Sequence, residues 1–507
     1  MRRRSPGEPE AQRGLSRREF VARGAALGSA ALLSGPRAAC GRAQGPPVAV
    51  VGAGLAGLTC AYRLRQHGVE VAVYEARADR VGGRCWTARG FADGQIAEHG
   101  GEFIDSDHAR IRALVGELGL HLEDREAWAK RRSGRYSRLY LDGALRAQDE
   151  VFRDYAATLR RLRSTARRTG YFRSYASRDA RAFDDLSAGQ WQDANLPGGG
   201  ASLLGGAMRE YLTEEFGLDA ARLTATDLLY LVEGPRSGGQ PADTDPSDER
   251  YHVHGGNDQV PRLLAERLPD DALHLDAPLQ ALWRRGDGSC GLRLGGIRGD
   301  VAADRVVLAT PFTTLRNVDI ERAGLSRLKR QCIDELGMGT NAKVLMQFRL
   351  RPAHFHRWNG DLITDQPSLD TWDTSLTQPG RHGLVTVYSG GAVGASYHAH
   401  QAHGPAPPRV VRDTLAALER AVPGISRDFN GRCWLDDWVA DPCVRPARRP
   451  RTRTRDSSKG LSRPASGVRG RCSARAARGL EGSGPPRLDG SAGRFHADVW
   501  LLASPGS

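Results

Sequence analysis

Three glycines with the spacing GxGxxG, Gly52, Gly54 and Gly57, follow the apolar stretch Val48 to Val51. Gly52 permits a tight turn, and Gly54 lets the backbone approach a pyrophosphate closely. Gly57 lets the helix that begins here pack against the strand before it. The spacing therefore predicts a phosphate-binding turn at the amino terminus of a helix.

The residues after this turn complete the unit that such a turn requires. A stretch with Leu58, Ala61 and Leu64 at helical spacing leads into a second apolar stretch, Val71 to Tyr74. Glu75 follows this stretch directly. A carboxylate at the end of the second strand can accept hydrogen bonds from both hydroxyls of a ribose. Strand, helix, strand and acid together predict a βαβ unit that binds a dinucleotide.

A second glycine pair, Gly82 and Gly83, follows Glu75 and Ala76 closely and precedes Arg84. Two glycines permit another close approach of the backbone, and a guanidinium can bind two phosphate oxygens at once. Together with the first glycine turn, residues 75–84 resemble the sequence fingerprint of the flavin-containing amine oxidase family. The resemblance implies that the dinucleotide is FAD rather than a nicotinamide cofactor.

Two later segments extend the resemblance to this family. "AEHGGEFID", residues 97 to 105, resembles the segment that passes the flavin ring, and "DAPLQAL" resembles the strand whose backbone meets the adenine. The resemblance therefore implies further cofactor contacts from Gly100, Gly101, Glu102, Phe103 and Leu279.

A lysine in "NAKVLMQF" is the candidate catalytic residue. Strand alternation places Lys343, Leu345 and Gln347 on the face opposite to their neighbours. From this pattern alone, a solvated lysine on a polar strand face fits as well as a functional one. The segment is similar to the strand that carries the family's lysine, which implies that Lys343 holds a water near the flavin.

The resemblance also implies the reaction. The flavin takes a hydride from the carbon that bears an amine, the imine hydrolyses, and dioxygen is reduced to hydrogen peroxide. L-amino-acid oxidases of this superfamily carry an arginine where this chain has Phe103, and an aromatic ring cannot bind a carboxylate. This favours an amine as the substrate. An L-amino-acid oxidase stays the alternative, because another arginine could bind the carboxylate and Phe103 could be a packing residue.

The order of the motifs implies an α/β fold in which a Rossmann-like FAD-binding domain is interleaved with an α+β substrate domain. Between the FAD-binding segments, "HARIRALVGELGL", "DYAATLRRLRSTARR" and "LLGGAMREYLTEEF" have helical periodicity. The predicted segments are a signal at 1–43, FAD-binding segments at 44–105 and 246–312, substrate-domain segments at 106–245 and 313–442, and a tail at 443–507.

The amino-terminal segment predicts export. Arg17 and Arg18 are followed by Phe20 and by a run of small and apolar residues from 24 to 33. This order resembles a twin-arginine signal, whose machinery carries folded proteins out of the cytoplasm. The apolar run is shorter than the roughly 20 residues that span a bilayer. The alternative is a disordered basic tail that contains two adjacent arginines by chance.

The net charge of +14 does not indicate a nucleic-acid partner, because it is concentrated near the two ends. Residues 445–478 hold twelve Lys/Arg and one acidic residue, and residues 1–43 hold nine Arg and three Glu. The remainder therefore has a net charge of −3, which argues against a basic groove. The eight cysteines include no CxxC pair, so the sequence predicts no metal site.

The composition changes abruptly after Pro442. The family closes with a Gly-Ser-Tyr segment and a glycine-rich strand and helix that complete the flavin site, and none is recognisable in residues 443–507. Arg, Gly, Pro and Ser dominate instead. The sequence predicts a disordered tail. Either translation in a shifted frame produced this tail, or the tail is a natural appendage. A non-catalytic relic is therefore an alternative to an active enzyme.

Overall fold

The computed structural model describes residues 46–130, 136–169, 177–232, 248–355, 357–444 and 500–502. The predicted twin-arginine segment lies outside these residues, as does most of the predicted tail. Within the described ranges, no helix combines the length and the apolar character needed to cross a membrane.

A five-stranded sheet contains the predicted βαβ unit. The strands Val48–Val51 and Val71–Tyr74 and the helix between them, Leu55–Gln66, confirm the prediction. Both strands are buried along their whole length, as expected for parallel strands that are covered on both faces. The order across the sheet is Trp500–Leu502, Arg305–Leu308, Val48–Val51, Val71–Tyr74 and Leu273–His274.

The edge strand of this sheet contradicts part of the prediction that residues 443–507 form a disordered tail. Trp500–Leu502 pairs antiparallel with Arg305–Leu308, so at these three residues the expectation is wrong. The physical reason is that a short apolar run can satisfy the hydrogen-bonding groups on the free edge of a buried strand. Residues 445–499 and 503–507 lie outside the described residues.

A second large sheet has eight strands and is almost entirely antiparallel. Its strands, in spatial order, are His403–Pro405, Phe429–Asp437, Ala342–Phe348, Gly383–Ser389, Ser368–Asp373, Trp358–Asp365, Tyr136–Leu141 and Ala144–Arg146. The Ala342–Phe348 strand carries Lys343 and lies inside this sheet, with all seven of its residues buried. One of its faces packs on the apolar side of the helix Pro408–Ala421.

Smaller sheets and helices complete the fold. A three-stranded antiparallel sheet consists of Leu279–Arg284, Cys290–Leu294 and Asp300–Ala303. Two strand pairs are Thr87–Ala88 with Ala97–Glu98 and Leu122–Asp124 with Tyr251–Val253. The remaining α-helices of the described residues are Ala109–Glu117, Arg125–Lys130, Gln148–Val151, Tyr155–Thr169, Arg178–Asp184, Ala188–Asn195, Leu203–Phe216, Gln259–Glu266, Phe312–Leu315, Arg327–Glu335 and Gly391–Ala395. The helices predicted in the substrate domain are confirmed, because each has an apolar stripe that packs into a core.

Candidate functional site

Two of the three glycines in the first turn are packed so closely that they leave no room for a side chain. Gly52 has a φ of +101°, and a Cβ atom there would lie 2.6 Å from the carbonyl oxygen of Ala309. A Cβ on Gly57 would overlap the carbonyl oxygen of Gly52, because the helix packs directly on the turn. Gly54 is different, since no described atom lies within 4 Å of a Cβ placed there. The turn therefore leaves open space above one glycine.

Glu75 is held beside this open space. Its Oε2 accepts a hydrogen bond from Ala53 N at 2.7 Å, and its Oε1 accepts one from Arg77 N at 2.9 Å. Each carboxylate oxygen keeps a further lone pair for a ligand hydroxyl. The neighbouring Ala76 is exposed. The segment before Leu279 runs alongside, because Ala277 N donates to the carbonyl oxygen of Glu75 at 2.8 Å.

The second glycine pair lies against the first turn. Gly82 N donates to the carbonyl oxygen of Ala53 at 2.8 Å, and a Cβ on Gly83 would lie 3.4 Å from the Cα of Gly54. Arg84, the predicted phosphate-binding arginine, is exposed. Its carbonyl oxygen accepts a hydrogen bond from Gly101 N at 3.1 Å. The three predicted segments, 52–57, 82–84 and 100–103, are therefore adjacent in space.

We call residues 52–57, Glu75 and residues 80–84 the nucleotide cradle. The sequence analysis missed one arginine of this cradle, Arg80. Its Nε and Nη2 atoms are buried and have no hydrogen-bond partner among the residues described. Such orphaned donors, together with the space above Gly54, fit a bound dinucleotide with its phosphates close to the backbone. The sequence offers Arg77, Arg80 and Arg84 within eight residues, and only their burial and contacts distinguish them.

Lys343 is buried, with 4% of its surface exposed, which excludes a solvated lysine. Its Nζ donates to the carbonyl oxygens of Glu98 at 3.2 Å and Gly100 at 2.7 Å, and to Glu102 Oε2 at 2.9 Å. These three acceptors use all three hydrogens of the ammonium group. Any water that Lys343 holds must therefore share or replace one of these acceptors.

Glu102 links Lys343 to an aromatic side chain. Its Oε1 accepts a hydrogen bond from Trp372 Nε1 at 2.9 Å, and Lys343 Nζ lies 5.1 Å from the centre of the Trp372 ring. Burial acts to raise the pKa of Glu102, but the positive charges of Lys343, Arg125 and His252 lower that pKa below its usual value. Glu102 is therefore ionised at neutral pH and forms a buried ion pair with Lys343.

Phe103 packs against Trp372, and we call these two side chains the aromatic wall. An arginine that the sequence analysis did not identify lies over the Phe103 ring. The Phe103 ring centre is 5.3 Å from that of Trp372, and the Arg125 guanidinium lies 4.5 Å from the Phe103 ring centre. Arg125 Nη1 also donates to the carbonyl oxygen of Asp373 at 3.4 Å. The segments that carry Phe103 and Arg125 give no local signal that the two side chains meet.

The face of the large sheet that carries Lys343 continues into an acidic cavity. Strand register aligns Lys343 with Tyr388 on the next strand, and Tyr388 with Asp370 on the strand after that. This small cavity is lined by Glu210, Glu214, Asp370, Tyr388 and four neighbouring residues. Burial, with the negative charge of Glu214, raises the pKa of Asp370 well above its usual value.

A buried network of charged side chains ties the cradle to the large sheet. Arg77 forms an ion pair with Asp441, whose Oδ2 also contacts His403 Nε2 at 3.1 Å. His403 Nδ1 contacts Asp436 Oδ1 at 2.7 Å, and Asp436 contacts His99 Nδ1 at 2.8 Å. Because Asp436 is the cross-strand partner of Lys343, the network joins the nucleotide side to the lysine strand.

Comparisons with known proteins agree with this geometry. A family model described as flavin containing amine oxidoreductase matches residues 55–469. The putrescine oxidase of Kocuria rosea is 28% identical over 319 residues, covering 59% of this chain and 63% of that protein. The L-amino-acid oxidase of Siganus canaliculatus is 26% identical over 353 residues, covering 66% and 62%. The chain thus matches less than two thirds of the length of these relatives.

Solved structures show a similar fold. A redesigned putrescine oxidase superposes with a TM-score of 0.66 at 22% identity, covering 79% of this chain and 86% of that chain. Cyclohexylamine oxidase from Brevibacterium oxydans gives a TM-score of 0.66 at 20% identity with the same coverage. At these identities the likeness shows the fold alone, whereas the family match covers most of the chain. The chain belongs to the family of flavin-containing amine oxidoreductases, and its cofactor is FAD.

Proposed function

We propose that the protein oxidises a primary or secondary amine to an imine, which hydrolyses to an aldehyde, with dioxygen reduced to hydrogen peroxide. The observation that carries the proposal is the buried Lys343, which lies beside Glu102 and the Gly100 carbonyl group behind an aromatic wall. When bound, FAD supplies the hydride acceptor for this reaction.

The residues of the chain have separate roles in this proposal. Gly52, Gly54, Glu75 and Gly83 would hold the nucleotide part of FAD, because they surround the turn at which Gly54 leaves open space. Phe103 and Trp372 exclude water from the reacting carbon and offer an apolar surface to the substrate. Lys343 keeps a positive charge close to the reacting atoms, and its ion pair with Glu102 fixes the position of that charge.

The acidic cavity supports an amine as the substrate rather than an amino acid. Asp370 and Glu214 lie on the same side of the sheet as Lys343. Asp370 supplies no charge here, because its raised pKa keeps it protonated, but the negative charge of Glu214 attracts an ammonium group and repels a substrate carboxylate. This agrees with the aromatic residue at Phe103, which cannot bind a carboxylate.

The purified chain tests whether it is an active enzyme or a relic. An active enzyme is expected to purify yellow, to show the absorption bands of a flavin, and to form peroxide when an amine is added. A colourless chain would contradict the proposal. If exchange of residues 443–507 for the corresponding segment of an active relative then restored colour and peroxide formation, the frame-shift interpretation would gain direct support.

Arg125 favours a second candidate function, L-amino-acid oxidation, because its guanidinium lies over the Phe103 ring. A guanidinium in this position could bind a substrate carboxylate in a bidentate manner. The charge of Arg125 is already offset by Glu102, whose pKa is lowered by Lys343 and Arg125 in spite of its burial. We therefore rank the amine first.

Replacing Arg125 distinguishes these two functions. We expect the unmodified protein to prefer an amine over the amino acid with the same side chain by about tenfold or more in kcat/KM. Arg125→Gln is expected to leave the kcat/KM for the amine within about threefold, because no amine group needs a guanidinium. Arg125→Lys, which keeps the charge but loses the planar fork, is the matched control. A preference for the amino acid that Arg125→Gln abolishes would establish the second function.

We also propose that the protein is exported through the twin-arginine route, on the basis of Arg17, Arg18 and the apolar run that follows. Residues 1–45 fused to a folded reporter are expected to move the reporter out of the cytoplasm. Changing Arg17 and Arg18 to Lys keeps the charge and is expected to retain the reporter inside the cell. Export that persists after the double change would contradict the proposed route.

A further inference from the structure

The three groups that accept hydrogen bonds from Lys343 all lie on one short segment, residues 98–102. They are the carbonyl oxygens of Glu98 and Gly100 and the carboxylate of Glu102. The backbone of Lys343 is fixed by pairing with a strand on each side. The position of its ammonium group therefore depends on what holds residues 98–102 in place.

The side chain of Glu98 fixes the beginning of this segment. Glu98 is fully buried, so its charge needs partners inside the protein. Its Oε1 accepts a hydrogen bond from Asn257 N at 2.8 Å and lies 3.0 Å from His252 Nε2. Its Oε2 accepts a hydrogen bond from Thr87 Oγ1 at 2.9 Å. Of these three partners, only His252 can carry a positive charge.

His252 lies between two carboxylates. Its Nε2 contacts Glu98, and its other ring nitrogen, Nδ1, is 3.7 Å from Glu123 Oε2. Burial acts to lower the pKa of His252, but the hydrogen bonds to Glu123 and Glu98 raise that pKa to about 9. The ring is therefore an imidazolium at neutral pH, with a proton on both nitrogens.

The charge of His252 acts on more than Glu98, because it also helps to lower the pKa of Glu102, the ion-pair partner of Lys343. The ionisable groups that surround His252 or act on its neighbouring carboxylates include Glu98, Glu102, Glu123, Arg125, Lys343 and His254. Without the imidazolium proton, the buried carboxylate of Glu98 loses its charged partner and is free to turn away from the ring.

We propose that His252 positions Lys343 for catalysis. The imidazolium holds Glu98, and Glu98 holds the segment whose acceptors fix the ammonium group. His252 acts through this segment and is therefore a positioning residue rather than a catalytic one. The inference rests on the proposed amine oxidation, in which Lys343 keeps a positive charge close to the reacting atoms.

His252→Gln in the full chain with FAD bound tests this role, because the amide keeps a donor for Glu98 but carries no charge. We expect kcat for an amine to fall about 10-fold, since a small displacement of a catalytic group is costly. KM is expected to stay within about threefold, because Phe103 and Trp372 still form the aromatic wall.

His254→Gln is the matched control. His254 Nδ1 contacts the same carboxylate, Glu123, at 2.6 Å, but the His254 side chain is 74% exposed. Its replacement is expected to change kcat by less than about threefold, as for an exposed pair. Equal effects of His252→Gln and His254→Gln would overturn the proposal.

The pH profile of kcat separates positioning from a general loss of structure. The folded-state pKa of His252 is raised to about 9, so the imidazolium is present at neutral pH and is lost as the pH rises through that value. The kcat of the unmodified protein is expected to fall over this interval. In His252→Gln, which has no such proton to lose, kcat is expected to be low and level there. A variant that keeps the same alkaline fall would contradict the proposed role.

A double-mutant cycle tests the link to Lys343 without turnover. The unfolding equilibrium constants of His252→Gln, Lys343→Met and the double variant are measured by urea denaturation. The combined change is expected to depart from the product of the single changes by about fivefold or more, whereas His254→Gln and Lys343→Met are expected to multiply. A chain that oxidises no amine but shows this coupling would contradict the proposed function alone. Independent effects of His252 and Lys343 would overturn the present inference whatever the activity.

Discussion

Lys343→Met is expected to abolish most amine oxidation and to destabilise the fold at the same time. The side chains of Lys343 and Glu102 are each only 5% exposed, so removal of the lysine leaves a buried carboxylate without its charge partner. Breaking a buried ion pair in this way costs about 3–5 kcal/mol of unfolding free energy. Loss of a fixed positive group beside the reacting atoms is expected to lower kcat on the order of 100-fold.

A double variant separates the two effects. In Lys343→Met with Glu102→Gln no unpaired charge stays buried, so most of the lost stability is expected to return in chemical denaturation. Turnover, measured as peroxide formation with FAD bound, is expected to stay low because the positive charge is still absent. Normal turnover in either variant would refute the catalytic role of Lys343, and normal stability of the single variant would refute the buried ion pair.

Two glycine substitutions in the cradle are expected to fail in different ways. A Cβ on Gly57 would overlap the Gly52 carbonyl oxygen, which is backbone and cannot move aside. Gly57→Ala is therefore expected to lower the unfolding free energy by at least the roughly 1–3 kcal/mol typical of overpacking, and to abolish FAD binding. Thermal unfolding and flavin absorbance of the purified variant measure the two losses.

Gly54→Ala is the matched substitution at the open position. Gly54 has an extended conformation with a φ of −73°, and its Cβ would meet no described atom within 4 Å. The unfolding free energy is expected to change by less than about 1 kcal/mol. Affinity for FAD is nevertheless expected to fall by about tenfold or more, because the methyl group occupies the space where the diphosphate passes the backbone. Unchanged affinity would show that the diphosphate takes another path.

The features that the sequence predicted well are local ones. The turn at Gly52, the strand ending at Glu75 and the helix between them lie within 24 residues, so spacing alone defines their relative positions. The alternation around Lys343 was also correct, since Val344 and Met346 pack in a core on the other side of the strand. Alternation could not show that the lysine face is buried, because that depends on which segment covers it.

The features that the sequence did not reveal depend on contacts between distant segments. Lys343 and Glu102 are 241 residues apart, and Arg125 reaches the backbone of Asp373 across 248 residues. No spacing rule relates residues this far apart, so Arg125 resembles any other arginine on a short helix. Arg80 was missed for another reason. It lies inside the recognised motif, and only the burial of its two unpaired atoms distinguishes it from Arg84.

The contacts that shape the nucleotide cradle lie largely within residues 52–84 and with Ala309. The chain of Arg77, Asp441, His403 and Asp436 then connects this cradle to the strand that carries Lys343. A substitution that displaces one of these side chains is therefore expected to disturb nucleotide binding and the lysine strand together, so the two halves of the site evolve under a shared constraint.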